Sequence, residues 1–319
     1  MTHAHGCYAT FSAVLDFLDV HFMRDSIACL NGQWVKQSQA CLTPTDIGIL
    51  YGAVAVERLR TYRGQILDLS AHIERLTNTC RFLGVSADWL TDISDQIQEC
   101  SKRVYPSEQD HFVVALVTPG DSHQDRVNPT TLVHAAPLPI ANLCQWYHHG
   151  QRVFTVTNQA IPAQCWSPQI KCRSRLNYYL ASRELAARGM TPADTAVLRD
   201  SSGNLLETGH ANLLLIERDR LVSPPLENIL HGTSLARVVK AAQGIGIEVR
   251  WEDVSLARSL SATGMLLTGT AGLLWPASQL DARPYANCTN QFVYHELRAR
   301  LIEDLGFDFY SETTTRAQK

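Results

Sequence analysis

Residues 51–84 constrain the fold most. Positions 51–62 alternate as a strand does, Arg63-Gly64 supplies a turn, and 65–69 return as a second strand. Ser70 then caps a predicted helix whose apolar stripe is Ile73, Leu76, Cys80 and Leu83, stopped by Gly84. Further strands are predicted at 112–117, 131–135, 152–157, 195–199, 205–207, 212–216 and 264–268, with helices over 88–100, 172–188 and from Gly232 to about Ala242. Strands and helices mix without regular βαβ alternation. That predicts an α+β fold and argues against a doubly wound sheet. Residues 136–150 combine prolines, polar groups and aromatics, which places a domain boundary there. The expected organisation is an N-terminal extension over 1–30, a smaller α+β domain over 31–145 and a larger one over 146–319.

Composition narrows the class. With 45% hydrophobic and 18% charged residues and a net charge of -3, the chain reads as an ordinary soluble globular protein. Its arginines are scattered among carboxylates, so no nucleic-acid footprint is expected. Nine cysteines (7, 29, 41, 80, 100, 144, 165, 172 and 288) show no Cys-x-x-Cys spacing, which predicts neither a disulfide framework nor a zinc site. A reducing cytoplasm is the expected compartment. The apolar run 11–22 is interrupted by Asp16, Asp19 and His21, so it reads as an extra helix or a loosely held arm. No membrane span is expected. His148 and His149 are adjacent on what reads as an extended segment, hence a surface pair.

Lysine is scarce: 36, 102, 171, 240 and 319. Lys36 lies in a polar turn, Lys240 falls on a helix and Lys319 is the last residue. Lys171 follows a proline-bounded loop and opens a helical pattern, a setting that buries the stem and desolvates the ammonium. Desolvation lowers a lysine pKa and frees the amine for imine chemistry. Three later features belong with it. Glu207 ends a strand amid small residues, and Asn212 restarts the next. Gly232, Thr233 and Ser234 precede a helix whose N–H groups suit a phosphate. Thr268, Gly269, Thr270, Ala271 and Gly272 follow a buried strand and offer a second nest of N–H groups. An amine, a carboxylate and two anion cradles are what pyridoxal phosphate requires.

With these residues in order, the chain resembles the class IV aminotransferases, the fold-type IV pyridoxal-phosphate group that includes branched-chain and D-amino-acid aminotransferases and aminodeoxychorismate lyase. The likeness runs from about Asn31 to Pro284 and rests on Asn31-Gly32, Tyr51-Gly52, Val56-Glu57, His72 with Arg75, Lys171, Glu207 with Asn212, Gly232 to Ser234, and Thr268 to Thr270. It implies a two-domain α+β fold like that of D-amino-acid aminotransferase, with the cofactor in the cleft. Lys171 would form the aldimine and move the proton. Glu207 would keep the pyridine nitrogen protonated. Arg75, Thr233, Ser234, Thr270 and Ala271 would hold the phosphate. A homodimer acting on small amino and oxo acids is also implied.

Specificity is less determined. Alternation puts Val56, Arg58 and Arg60 on one strand face, which by resemblance looks into the active site. Arg58 either binds a substrate carboxylate or pairs with a neighbouring acid. Leu176 stands where branched-chain enzymes place an aromatic residue, with Tyr178 two positions on. Lys-x-x-x-Arg-Leu is closer to aminodeoxychorismate lyases. The main expectation is transamination, the alternative a lyase releasing 4-aminobenzoate and pyruvate. A non-catalytic protein that only holds the cofactor or another phosphorylated ligand is a remote third, which retention of Lys171 argues against.

Overall fold

The computed structural model describes residues 26–104, 109–123 and 128–316. The run 11–22 and Lys319 lie outside these. The chain divides into two compact units: one from the described residues up to Leu138 together with Ile170–Arg175, the other from Pro139–Gln169 and the residues from Leu176 onward. The break falls inside the proline-bearing segment 136–150, and a short piece around Lys171 returns to the first unit.

The first unit is built on a six-stranded sheet. Its elements are β1 (Ile27–Leu30), β2 (Gln33–Lys36), α1 (Ile47–Tyr51), β3 (Ala55–Tyr62), β4 (Gln65–Ile66), α2 (Leu69–Phe82), α3 (Ile93–Val104), β5 (His111–Thr118) and β6 (Thr130–Pro137). The order β2-β1-β6-β5-β3-β4 is antiparallel at every pairing. Asn31 and Gly32 make the first hairpin with φ of 48° and 79°, the left-handed pair that a two-residue hairpin demands. Strand alternation sorts the side chains. Ala55 and Leu59 join Val113, Ala115 and Val117 in a core against Leu76 and Cys80 of α2 and Ile97 of α3. Glu57 shares that face; Val56, Arg58 and Arg60 lie on the other, opposite Leu116, Val114 and Phe112.

Several expectations are corrected here. Residues 27–30, assigned to the extension, form β1 and pair with both β2 and β6. Residues 47–51 are helical: the Asp46 carboxylate accepts from Gly48 N at 2.7 Å, and Gly52 ends the turn with φ 68°. Asp68, not Ser70, occupies the N-cap of α2. Lys171 does not open a helix. Residues 171–175 run beside β3, with a bridge between Ala55 and Cys172, Val56 N donating to Lys171 O at 3.0 Å, and Arg173 N donating to Val54 O at 2.9 Å.

The second unit contains α4 (Ile140–His149), β7 (Gln151–Gln159), α5 (Leu176–Ala187), β8 (Thr195–Arg199), β9 (Leu205–Thr208), β10 (Asn212–Glu217), β11 (Arg220–Ser223), α6 (Thr233–Gly244), β12 (Val249–Trp251), α7 (Leu256–Ser261), β13 (Gly264–Gly269), β14 (Leu273–Leu280), β15 (Arg283–Pro284), α8 (Phe292–Leu305) and α9 (Phe309–Arg316). Pairings run from β10 through β13, β14, β7, β8 and β9 back to β10, a closed ring of strands. β11 and β12 extend it from β10. α4 replaces the expected loop and ends in His148 and His149, which are therefore helical neighbours; it buries Leu143, Trp146 and Tyr147. The helices α8 and α9 lie beyond the sequence-based expectations.

Candidate active site

In the first unit, chemistry gathers where β3, α2 and the segment 171–175 meet. His72 and Arg75 lie three apart on α2, so both reach the sheet face that carries Glu57. Arg75 grips the buried Glu57 carboxylate with two hydrogen bonds, Nε to Oε1 at 2.6 Å and Nη2 to Oε2 at 2.8 Å, and His72 Nδ1 lies 2.7 Å from Oε2. Burial alone pushes the Glu57 carboxyl up, but Arg75 and His72 overcome it and hold it at about 2.

Lys171 is partly buried beside this group. Of the four described lysines it is the one that is not exposed. Burial, then the positive field of Arg75, lowers it to about 7, with Arg175 and Arg58 adding to the shift and Glu57 opposing it. Its own N–H donates to Thr79 Oγ1 at 3.3 Å, which ties the backbone to α2. Arg58 has no acidic partner among the described residues; its guanidinium lies over the Phe112 ring, 4.6 Å from the centroid. The reading in which Arg58 pairs with a neighbouring acid thus finds no such acid among the described residues. Arg60 is buried and stacks on Tyr62 at 4.1 Å. Val56 is buried beside them.

In the second unit, Glu207 is held by three donors. Tyr178 Oη reaches Oε1 at 3.0 Å, while Asn212 Nδ2 and Leu230 N reach Oε2 at 3.0 and 3.2 Å. Asn212 Nδ2 also donates to Leu230 O at 3.0 Å. Gly232 precedes α6, and a Cβ there would fall well inside contact distance of Asn212 Oδ1, so only glycine fits. Thr233 and Ser234 open the helix without a side-chain cap, leaving its N–H groups aimed outward. Thr270 and Ala271 occupy the turn between β13 and β14. Gly269 there packs so closely that a Cβ would meet His210 O at 2.5 Å. His210 in turn stacks on Trp275 and Trp146. Neither the Ser234 nor the Thr270 hydroxyl has a hydrogen-bond partner among the described residues.

Sequence reasoning missed several of these arrangements. The ties of Glu57 to His72 and Arg75 are non-local; the available signal is two polar residues three apart on a helix face that should be apolar. Tyr178 carries no local sign of its role. Arg173 and Arg175 fall where the spacing predicts a helix.

The first unit thus carries a desolvated amine, and the second an oriented carboxylate and, at the start of α6, a Ser234 hydroxyl without a partner among the described residues. Residues 55–280 match the amino-transferase class IV family, and the chain belongs to it. A putative branched-chain-amino-acid aminotransferase of Methanocaldococcus jannaschii is 29% identical over 264 residues, 81% of this chain and 89% of its own length. The branched-chain aminotransferase of Thermoproteus uzoniensis, solved with norvaline, has a TM-score of 0.75 at 20% identity, covering 88% of this chain and 95% of that one. A hypothetical aminotransferase from Mycobacterium tuberculosis, solved in a PLP-bound form, has a TM-score of 0.76 at 18% identity, covering 88% and 100%. The fold is therefore fold-type IV.

Proposed function

We propose that the protein is a pyridoxal-phosphate-dependent aminotransferase that moves an amino group between an amino acid and a 2-oxo acid. The observation that carries this reading is Lys171, a lysine held near neutrality inside a family whose members transfer amino groups. The relatives' names do not favour the lyase alternative.

The residues present suit the cofactor. Lys171 would attach its aldehyde, and Thr233, Ser234, Thr270 and Ala271, with Arg75, would hold its phosphate; the unpartnered hydroxyls of Ser234 and Thr270 support this. When bound, pyridoxal phosphate supplies an aldehyde for the substrate amine and a ring that withdraws electrons from Cα. Lys171 Nζ would take the proton from the substrate Cα and deliver it to the carbon that was the aldehyde, and a pKa of about 7 would let it do both near neutral pH. Glu207, fixed by Tyr178, Asn212 and Leu230, holds a proton at the ring nitrogen. Arg58 would face the substrate, whereas Val56 and Arg60 of the same strand face are buried.

Borohydride reduction followed by peptide mapping tests the assignment. The pyridoxyl label should fall on Lys171, and Lys171→Ala should lose label and activity together. Label on another residue overturns it. Formation of an oxo acid that depends on a second oxo acid marks transfer, whereas pyruvate released without an acceptor marks the lyase.

Assembly and compartment belong to the same proposal. The apolar side chains of α1, Ile49, Leu50 and Tyr51, are 57%, 51% and 76% exposed, which supports a homodimer that covers them. All eight described cysteines are free, which supports a reducing cytoplasm. No helix among the described residues is long and apolar enough to cross a membrane.

A further inference from the structure

The face of the first sheet that carries Arg58 gathers positive charge. Arg58 projects from β3 opposite Val114, away from the face that carries Glu57. The Glu57 carboxylate is itself occupied by Arg75 and His72. Arg173 and Arg175 arrive from the segment beside β3. That segment is fixed, not loose. Arg173 N donates to Val54 O at 2.9 Å, Ser174 Oγ to Gly52 O at 2.9 Å, and Arg175 N to Arg173 O at 2.8 Å. Neither Arg58 nor Arg173 forms a side-chain hydrogen bond or ion pair among the described residues.

These guanidiniums repel one another. Burial, then Arg173 and Arg175, lowers Arg58 to about 10, and desolvation and Arg175 lower Arg173. Arg58 and the exposed Arg173 stand on backbones tied together by these bonds, neither with an acid of its own among the described residues, so both guanidiniums are open to an anion. A planar guanidinium matches a carboxylate in two parallel hydrogen bonds. The Lys171 amine lies in the same field, since Arg175 and Arg58 both lower its pKa.

We propose that Arg58 and Arg173, with Arg175 beside them, form a carboxylate-binding site that makes this enzyme prefer a substrate with an acidic side chain, a dicarboxylic amino acid and its oxo acid, over one with an apolar side chain. This assignment rests on the aminotransferase reading given above and names the substrate class for it.

The test has a binding arm and a kinetic arm. By calorimetry on the holoenzyme, succinate and glutarate should bind about 100-fold tighter than butyrate or isovalerate, and inorganic phosphate should not displace them. In single turnovers, glutamate or aspartate should outpace leucine in kcat/KM. Arg58→Leu should cost the acidic substrates about 100-fold, mostly in KM, and leucine at least tenfold less; Arg58→Lys should recover part of the loss. Arg173→Gln provides a second variant, and an unchanged melting temperature certifies each fold. Equal binding of mono- and dicarboxylates, displacement by phosphate, or equal losses for glutamate and leucine overturns the proposal. A protein without a Lys171 label that still binds succinate through Arg58 would sink the aminotransferase reading and leave the carboxylate site standing.

Discussion

Asn212 and Glu207 stand opposite one another on antiparallel β10 and β9, and Asn212 Nδ2 donates to Glu207 Oε2 at 3.0 Å. The same amide reaches Leu230 O. One side chain thus fixes both the acid and the chain leading into α6, so the carboxylate proposed to face the ring and the helix start proposed to hold the phosphate share a support.

Glu207→Gln keeps the shape and removes the charge. The variant should still take up pyridoxal phosphate, while its single-turnover rate falls about 100-fold. A rate within about a factor of two of wild type would remove Glu207 from the ring-nitrogen role.

Gly232→Ala tests the shared support. A Cβ pressed against Asn212 Oδ1 must displace that amide, at a cost of about 1–3 kcal/mol in unfolding free energy. Cofactor affinity should drop with it. Denaturant unfolding of the apoprotein and a pyridoxal phosphate titration read the two effects separately.

Lys171 gives a signed pH dependence. Its folded value of about 7 lies below the ordinary 10.5, so between those pH values the unfolded chain binds the extra proton. Stability of the apoprotein therefore rises with pH across that window, and the gain disappears as pH falls back to about 7. Relative to Lys171→Met, wild type should gain about 2 kcal/mol between about pH 7 and pH 9. Acylation of the apoprotein at Lys171 should be half-maximal near about pH 7.

Glu57 behaves in the opposite sense. Its folded value of about 2 lies below the ordinary 4.5, so the stability from its pairing is complete above 4.5 and is lost as pH falls towards 2. Glu57→Gln leaves Arg75 and His72 without their acid. It should cost about 3 kcal/mol at neutral pH and flatten the acid limb of the denaturation profile.

What could be read from the sequence was local. Asn31-Gly32 and Arg63-Gly64 announce their turns because all four residues adopt positive φ, which few residue types tolerate. The stripe of Leu76 and Cys80 announces α2 because its period is that of a helix. Lys171 stands out by elimination, yet its surroundings do not. The helical spacing that begins at Leu176 invites extension backward through Lys171, and the bonds from Val54 and Val56 that forbid it come from a distant stretch of the chain. The grip of Arg75 on Glu57 and the gathering of Arg58, Arg173 and Arg175 are likewise products of strand packing, which no window of neighbouring residues contains. α4 is obscured by prolines at 137 and 139 and a tail of two histidines, although Leu143, Trp146 and Tyr147 keep helical spacing.

The closed ring of strands has one short stave. β9 spans only Leu205–Thr208, and its bond to β10 is the single facing pair that includes the acid itself. Within the ring every strand has a neighbour on both sides, and the sheet's edge is carried outward to β12 through β11. Prising out that stave would break the whole circumference at once, so Glu207 keeps its orientation for as long as the wall remains a wall.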